Sequence, residues 1–514
     1  MALLRSITTV GGYTMISRVL GFARDILIAD ILGASAVADA FFVAFKYPNF
    51  FRRLFAEGAF NAAFVPLFSG LLTAGGRAQA KAFAEGTFAV LLCALLFLVA
   101  AFEIGMPWAM YAIAPGFAAD PEKFQLAITL TRITFPYLLF ISLVSLMGGV
   151  LNSLDRFAAA AATPIILNVS LIAALIGLAR FTDTPGHALA WGVAAAGIAQ
   201  FLWLYLVLHG SGMGLKLRLP RLTPKVRRLL KLMLPGAIGA GVVQINLLID
   251  VLIASFLPSG AISYLYFADR VNQLPVGVIG VGVGTALLPL LSRQIQSEAS
   301  AAALESQNRA LEFALLLTIP AAAALMVISG PVILVLFGRG AFGAAEVGAA
   351  SMALAAYAAG LPAYVLVKVL TPGYFAREDT VTPVKIASLC VAVNLVLNLV
   401  LMGPFAHVGI AAATAIAAWI NAALLAGGLK RRGHLVIDDR LKSRLPRIAL
   451  AAAIMTASLV LGAMALAGPL AGAEVPRIAA LAVLVAGGII VYGACAQLSG
   501  AADLKELKTI MGRT

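Results

Sequence analysis

The segment "SRVLGFARDILIADILG", Ser17–Gly33, decides how this chain is read. Leu20, Phe22, Ile26, Leu27, Ile28, Ile31 and Leu32 make it apolar enough for a bilayer, yet Arg18, Arg24, Asp25 and Asp30 sit among them. On a soluble helix such charges are ordinary; at mid-bilayer each ionised one costs roughly 2.5–3.5 kcal/mol even on lenient insertion scales. The remainder of the 514 residues identifies the solvent. Apolar residues make up 62% and charged residues 12%, with a mean hydropathy of +0.99, against roughly 45–50% and 25% in soluble domains. The chain therefore reads as an all-α integral membrane protein, because its repeated runs of about 20 apolar residues each cross a ~30 Å hydrocarbon core as helix. With charges inside it and no small-residue cleavage site, Ser17–Gly33 is read as part of a retained first span rather than a signal peptide.

Working outward, apolar windows between loop signals predict fourteen spans: 7–32, 37–68, 84–107, 130–151, 163–181, 188–208, 230–257, 262–291, 311–336, 347–370, 384–403, 408–429, 447–467 and 477–498. An even number puts both termini on one side. The Lys and Arg residues concentrate in the terminal tails and the even-numbered loops, above all Leu215–Lys231 and Leu429–Arg447, which makes that side cytoplasmic. The net charge of +14 is then explained by topology and by anionic membrane lipids, with no nucleic acid required. The tail "ADLKELKTIMGRT" reads as an interfacial helix with Leu504, Leu507 and Ile510 along one side. Cys93, Cys390 and Cys495 lie in apolar runs at no metal-ligand or disulfide spacing and read as packing residues.

The chain also echoes itself. Asn49, Pro66 and Ser69 recur as Asn272, Pro289 and Ser292 at an offset of 223; Thr163-Pro164 recurs as Thr382-Pro383 at 219; His187 recurs as His407 at 220. Six helices per copy keep the copies parallel about an axis along the membrane normal, a plan in which substrate sits between the halves. The expected organisation is an N-lobe over 1–214, a basic linker over 215–232, a C-lobe over 233–430, a basic loop over 431–446, and a final helix pair with its tail over 447–514.

Charges inside the spans carry the functional signal. Span 1 holds Arg18, Arg24 and Asp25; span 2 holds Asp39, Lys46, Arg52, Arg53 and Glu57; span 8 holds Asp269 and Arg270. At 100° per residue, Asp39, Lys46, Asn49, Arg53 and Glu57 share an arc of about 80°, and Arg18 shares a face with Asp25. Internal ion pairs (Arg24 with Asp25, Lys46 with Asp39, Asp269 with Arg270) account for some of them. Six cations face four acids, however, and a cavity with surplus arginine suits an anionic ligand whose phosphate oxygens match the guanidinium fork. The glycines of "GVIGVGVG", Gly277–Gly284, follow no strand and read as close helix packing rather than a nucleotide loop. A second polar group comprises Gln244, Asn246 and Asp250 in span 7, Asn394 and Asn398 in span 11, and Thr414 in span 12. Asp250, Asn394, Asn398 and Thr414 offer oxygens for Na+, or Asp250 could carry a proton; interhelical hydrogen bonding explains the same spacing.

Three segments, "SRVLGFARD", "DAFFVAFKYPNFFRRLFAEGAFNAAFVPLF" and "YFADRVNQLPVGVIGVGVGTALLP", resemble the signature segments of the MurJ (MviN) lipid II flippase family within the MOP group of exporters, and the resemblance covers essentially the whole chain. It implies fourteen helices, two six-helix lobes around a cationic cavity, and a terminal helix pair beside a hydrophobic groove. Arg18, Arg24, Arg52 and Arg270 match the family's cavity arginines, with Asp25, Asp39 and Asp269 as companions, and would bind the pyrophosphate of an undecaprenyl-linked peptidoglycan precursor. Similar proteins have a sodium site on helices 7, 11 and 12, which Asp250, Asn394 and Thr414 fit, whereas Asn398 stands where a carboxylate would strengthen it. The implied mechanism is alternating access across the bacterial cytoplasmic membrane, with Na+, H+ or membrane potential as drive and other cell-wall synthesis proteins as further partners. A drug exporter of the same superfamily would favour an acidic or aromatic pocket. A membrane enzyme acting on prenyl phosphates would need acids, His or metal ligands at a membrane face, where the long outside loop supplies only Asp120 and Glu122.

Overall fold

A computed structural model describes residues 2–53 and 60–502. Glu57 and the expected tail helix with Leu504, Leu507 and Ile510 lie outside the described residues. Among those residues the secondary structure is helical, with no strand. In chain order the elements are α1 (Ala2–Leu32), α2 (Ala36–Phe51), α3 (Asn61–Ile113), α4 (Pro121–Thr134), α5 (Tyr137–Asn152), α6 (Phe157–Leu178), α7 (Pro185–Leu208), α8 (Pro224–Ala254) and α9 (Ala261–Pro275). They continue with α10 (Val281–Gln296), α11 (Ser300–Val327), α12 (Ser329–Phe337), α13 (Ala344–Ala359), α14 (Leu361–Phe375), α15 (Val381–Arg431), α16 (Asp439–Ala465), α17 (Ala467–Ala471) and α18 (Glu474–Leu498).

Ten helical stretches among the described residues are long and apolar enough to cross a membrane, making this a multi-pass membrane protein. Boundaries differ from the sequence reading where polar but helix-favouring residues continue a helix. Residues 69–83, expected as a loop, are helical on both sides of Gly76, whose φ of 70° and ψ of −178° break α3 in a region only glycine occupies readily. Helix α15 is broken likewise at Ala406, with φ 48° and ψ −130°. The expected span 130–151 is two helices, α4 and α5, because Pro136 cannot donate to the ladder. The span 262–291 contains a wide turn over Val276–Gly280, directly after Pro275. The span 311–336 divides at Ile328, between α11 and α12.

The chain forms two compact units, 1–263 and 264–514. In the first, α6 packs against α1 and α7, α2 against α4, α5 against α3 and α7, and α8 against α3. Two device-like anchors fix its irregular parts. Ser35 caps α2 by accepting from the Ala38 N–H, and the Ser255 hydroxyl accepts from the Gly116 N–H, where any Cβ would collide with the Ser255 carbonyl. In the second unit α11 packs against α13, α14 and α16, α14 against α10 and α15, and α16 against α18. Its core brings together Leu287, Leu291, Leu311, Val365, Val369, Leu370, Tyr374, Leu425 and Leu429.

Candidate functional site

The first unit seals Arg24 into its interior. Arg24 and Asp25 are 4% and 1% exposed, and the Arg24 Nε and Nη2 groups donate to Asp25 Oδ1 at 3.0 and 2.7 Å. The third donor direction is taken by α6: Arg24 Nη1 lies 2.9 Å from Asn168 Oδ1, and Asn168 Nδ2 donates to the Ser17 carbonyl at 2.9 Å. Gly21 permits this approach, since a Cβ there would already be 3.5 Å from Asn168 Nδ2. The guanidinium plane is thus fixed by α1 and α6 together. Sequence alone does not single out Asn168, whose only signal is a lone amide in the apolar run "IILNVSL".

The other cations expected in this part of the site differ in exposure. Arg18 and Arg53 are exposed, and Lys46 and Arg52 are half-buried. Asn49 Nδ2 donates to the Phe45 carbonyl at 2.7 Å, which turns Asn49 Oδ1 toward Arg52 Nε at 3.0 Å.

Asp39 is engaged elsewhere. The expected Lys46–Asp39 pair is corrected by the structure: Asp39 Oδ2 is 2.9 Å from Lys123 Nζ, and both side chains are buried. Asp39 also accepts from the N–H groups of Gly260 and Ser263 and from the Ser263 hydroxyl, at 2.7–2.9 Å. The physical reason is position: Asp39 lies in the first turn of α2 and caps the start of α9, where a carboxylate complements the helix dipole. Lys123, further held by Ser259 and by the Phe117 ring face at 4.2 Å, reads from sequence as an outside-loop charge. Its signal is the Asp120-Pro121 helix start, which places it in the first turn of α4. Removing Asp39 from the ledger leaves Arg18, Arg24, Lys46, Arg52, Arg53 and Arg270 against Asp25, Glu57 and Asp269.

In the second unit Asp269 and Arg270 sit half-buried on α9. Arg270 donates from Nε and Nη2 to the Tyr266 hydroxyl at 3.1 and 2.9 Å and lies 5.0 Å from that ring's centroid; Asp269 accepts from Gln273. The same unit unites Asn394, Asn398 and Thr414. Asn398 Nδ2 donates to Asn394 Oδ1 at 3.0 Å, Asn394 Nδ2 approaches Thr414 Oγ1 at 3.4 Å, and both asparagines are buried. Asp250, half-buried on α8, belongs to the first unit. Among the described residues no three His, Cys, Asp or Glu side chains form a metal-ligand group.

The long apolar helices, with arginines held inside them, define a polytopic membrane protein of the transporter type. The family model for "Lipid II flippase MurJ" matches residues 28–475. A "Probable lipid II flippase MurJ" from Rhizobium meliloti (strain 1021) is 46% identical over 520 residues, covering 100% of this chain and 97% of that protein. The solved structure "Lipid II flippase MurJ, inward closed conformation" matches with a TM-score of 0.79 at 28% identity, over 95% of this chain and 98% of that one. An inward-facing multidrug resistance MATE family transporter of the MOP superfamily shares the fold, with a TM-score of 0.69 at 14% identity over 83% and 98% of the two chains. The chain belongs to the MurJ lipid II flippase family.

Proposed function

We propose that this protein is a lipid II flippase, a transporter rather than an enzyme, moving an undecaprenyl-pyrophosphate-linked precursor from the cytoplasmic to the outer leaflet of the bacterial cytoplasmic membrane. The observation that carries the reading is Arg24, buried in an apolar helix and held flat by Asp25 and Asn168 in a chain of this family. A guanidinium fixed in this way aims its remaining Nη N–H groups along one set edge, the direction from which phosphate oxygens accept. Arg18, Lys46, Arg52, Arg53 and Arg270, with Asp25 and Asp269 as companions, would supply the further cationic contacts. Asp39, bonded to Lys123, holds the start of α2 in place.

In this reading the chain crosses the membrane fourteen times, counting α3 and α15 as two crossings each at Gly76 and Ala406, and both termini are cytoplasmic. The lobes over 1–214 and 233–430, joined by the 215–232 linker, form a parallel repeat, with the 431–446 loop and the helices after 447 outside it. Backbone geometry supports the repeat. Asp155 and Glu378, 223 residues apart, both have left-handed φ (59° and 61°). They close matching helix ends: the Arg156 N–H bonds to the Leu151 carbonyl, and the Asp379 N–H to the Tyr374 carbonyl.

Alternating access between the lobes would carry the headgroup, with the tail left in lipid. Na+ held by Asp250, Asn394, Asn398 and Thr414 oxygens, or a proton on Asp250, would couple transport; the Asn398–Asn394 bond is what a cation would exchange for. Membrane potential adds about 2.3 kcal/mol per charge per 100 mV. Arg24→Ala and Arg270→Ala in folded, inserted protein are each expected to abolish lipid II translocation in proteoliposomes. Retained translocation in both overturns the site. Asp250→Ala with unchanged sodium dependence excludes coupling there.

A further inference from the structure

Lys368 is a charge that the site described above does not use. It is the only charged residue in α14, "LPAYVLVKVLTPGYF", and sits seven residues, about 10 Å, before the helix end at Phe375. Val365, Val369 and Leu370 of the same helix are locked in the core of the second unit. Tyr364, Lys368 and Thr371, at i, i+4 and i+7, instead form a half-buried polar stripe on another face. Among the described residues Lys368 makes no hydrogen bond or ion pair.

The glycines of "GVIGVGVG" are what make room for it. A Cβ on Gly284 would lie 3.4 Å from the Lys368 carbonyl and 3.9 Å from its Cβ, while a Cβ on Gly280 would lie 2.8 Å from Lys368 Cδ and 3.4 Å from Nζ. The stem therefore runs from the level of Gly284 to that of Gly280, along the wide turn and toward the end of the element that carries Arg270. This direction follows from the tilt of helical side chains toward the N-terminus. With the α14–α15 connection on the cytoplasmic side, as the distribution of Lys and Arg in the sequence implies, it also carries the charge away from the nearer membrane face, the opposite of snorkelling. Arg270 lies ten residues before Gly280, roughly 15 Å along the element.

We propose that Lys368 is a second cationic contact for the substrate's diphosphate, placed inward of Arg270 and meeting the anion on the cytoplasmic half of its path. This rests on the flippase reading of the Arg270 site. Gly280 is a positioning residue: it lets the lysine stem lie flat against the turn.

The test is equilibrium binding of lipid II to the full-length protein in nanodiscs. Lys368→Gln is expected to weaken binding about tenfold, the value of one charge-assisted hydrogen bond, with Lys368→Arg restoring most of it. Gly280→Ala, which keeps the charge but displaces the stem, is expected to weaken binding severalfold, whereas Gly282→Ala, with open space at its Cβ, leaves it unchanged. If Lys368→Gln binds like the parent while Arg270→Ala does not, Lys368 is no contact and the reading of the site stands. If neither variant loses affinity, the reading itself fails. Equal loss in the Gln and Arg variants, with Gly280→Ala normal, assigns Lys368 a structural role and overturns the proposal.

Discussion

The two units treat buried charge differently. The first closes two of its ion pairs off: Arg24–Asp25 has side chains 5% and 1% exposed, and Lys123–Asp39 likewise 5% and 1%, while Arg218 reaches the buried Glu85 from the surface. The second keeps the cations of its pairs nearer the surface. Glu312, its own side chain 7% exposed, gathers Arg309, Arg440 and Arg444, whose side chains are 17–38% exposed, Asp379 meets Arg432 with both partly exposed, and Arg270 leans on Tyr266. A sealed pair is geometrically fixed and costly to break, whereas an open one is screened and adaptable. The first unit thus presents a rigid guanidinium in Arg24, and the second an adjustable one in Arg270.

Substitutions can break this contrast. Asp39→Ala leaves the Lys123 ammonium buried without its carboxylate and is expected to destabilise the protein by about 3–5 kcal/mol. Asp39→Ala combined with Lys123→Met should recover part of that loss, as read by thermal unfolding in detergent. Equal stability of the single variant and the parent would show that the pair is not sealed. Next in size, Arg24→Lys keeps the charge but loses the fork that Asp25 and Asn168 hold, so translocation is expected to fall about 100-fold; Arg270→Lys should fall about tenfold. Indistinguishable lysine variants would erase the distinction between rigid and adjustable arginines. Glu312→Gln removes a buried carboxylate but leaves behind three arginines that water still reaches, so it is expected to lower stability by about 1–2 kcal/mol, less than Asp39→Ala.

The smallest effect concerns Asp379. Its carboxyl is held well below the usual range by hydrogen bonds from Arg432 first and then from Thr382. The folded-state value is depressed, so the pair's contribution is present above the unfolded value near 4 and is lost as pH falls toward the folded one. The parent should therefore melt slightly above Asp379→Asn at pH 7, with the gap closing below about pH 4. A gap that widens on acidification would contradict the sign.

Much of this was legible in the sequence because lipid imposes a simple rule: apolar runs become helices, and charges within them need partners or ligand. Arg24 with Asp25 follows directly from that rule, as does the cluster of Asn394, Asn398 and Thr414. Partners contributed from far along the chain do not. Lys123 for Asp39 is 84 residues away and Asn168 for Arg24 is 144, separations over which a helical wheel says nothing. The break at Gly76 was hidden for a different reason: its neighbours favour helix on both sides, and only the backbone conformation marks the end of one helix and the start of the next.

The central claim, that fixed arginines in apolar helices carry a lipid-linked diphosphate across the membrane, is tested most directly by leaflet-resolved measurement of lipid II. Depletion of the protein in cells is expected to accumulate lipid II on the cytoplasmic leaflet, with rescue by the parent and not by Arg24→Ala. Unchanged lipid II on both leaflets after depletion, or full rescue by Arg24→Ala, would contradict the account.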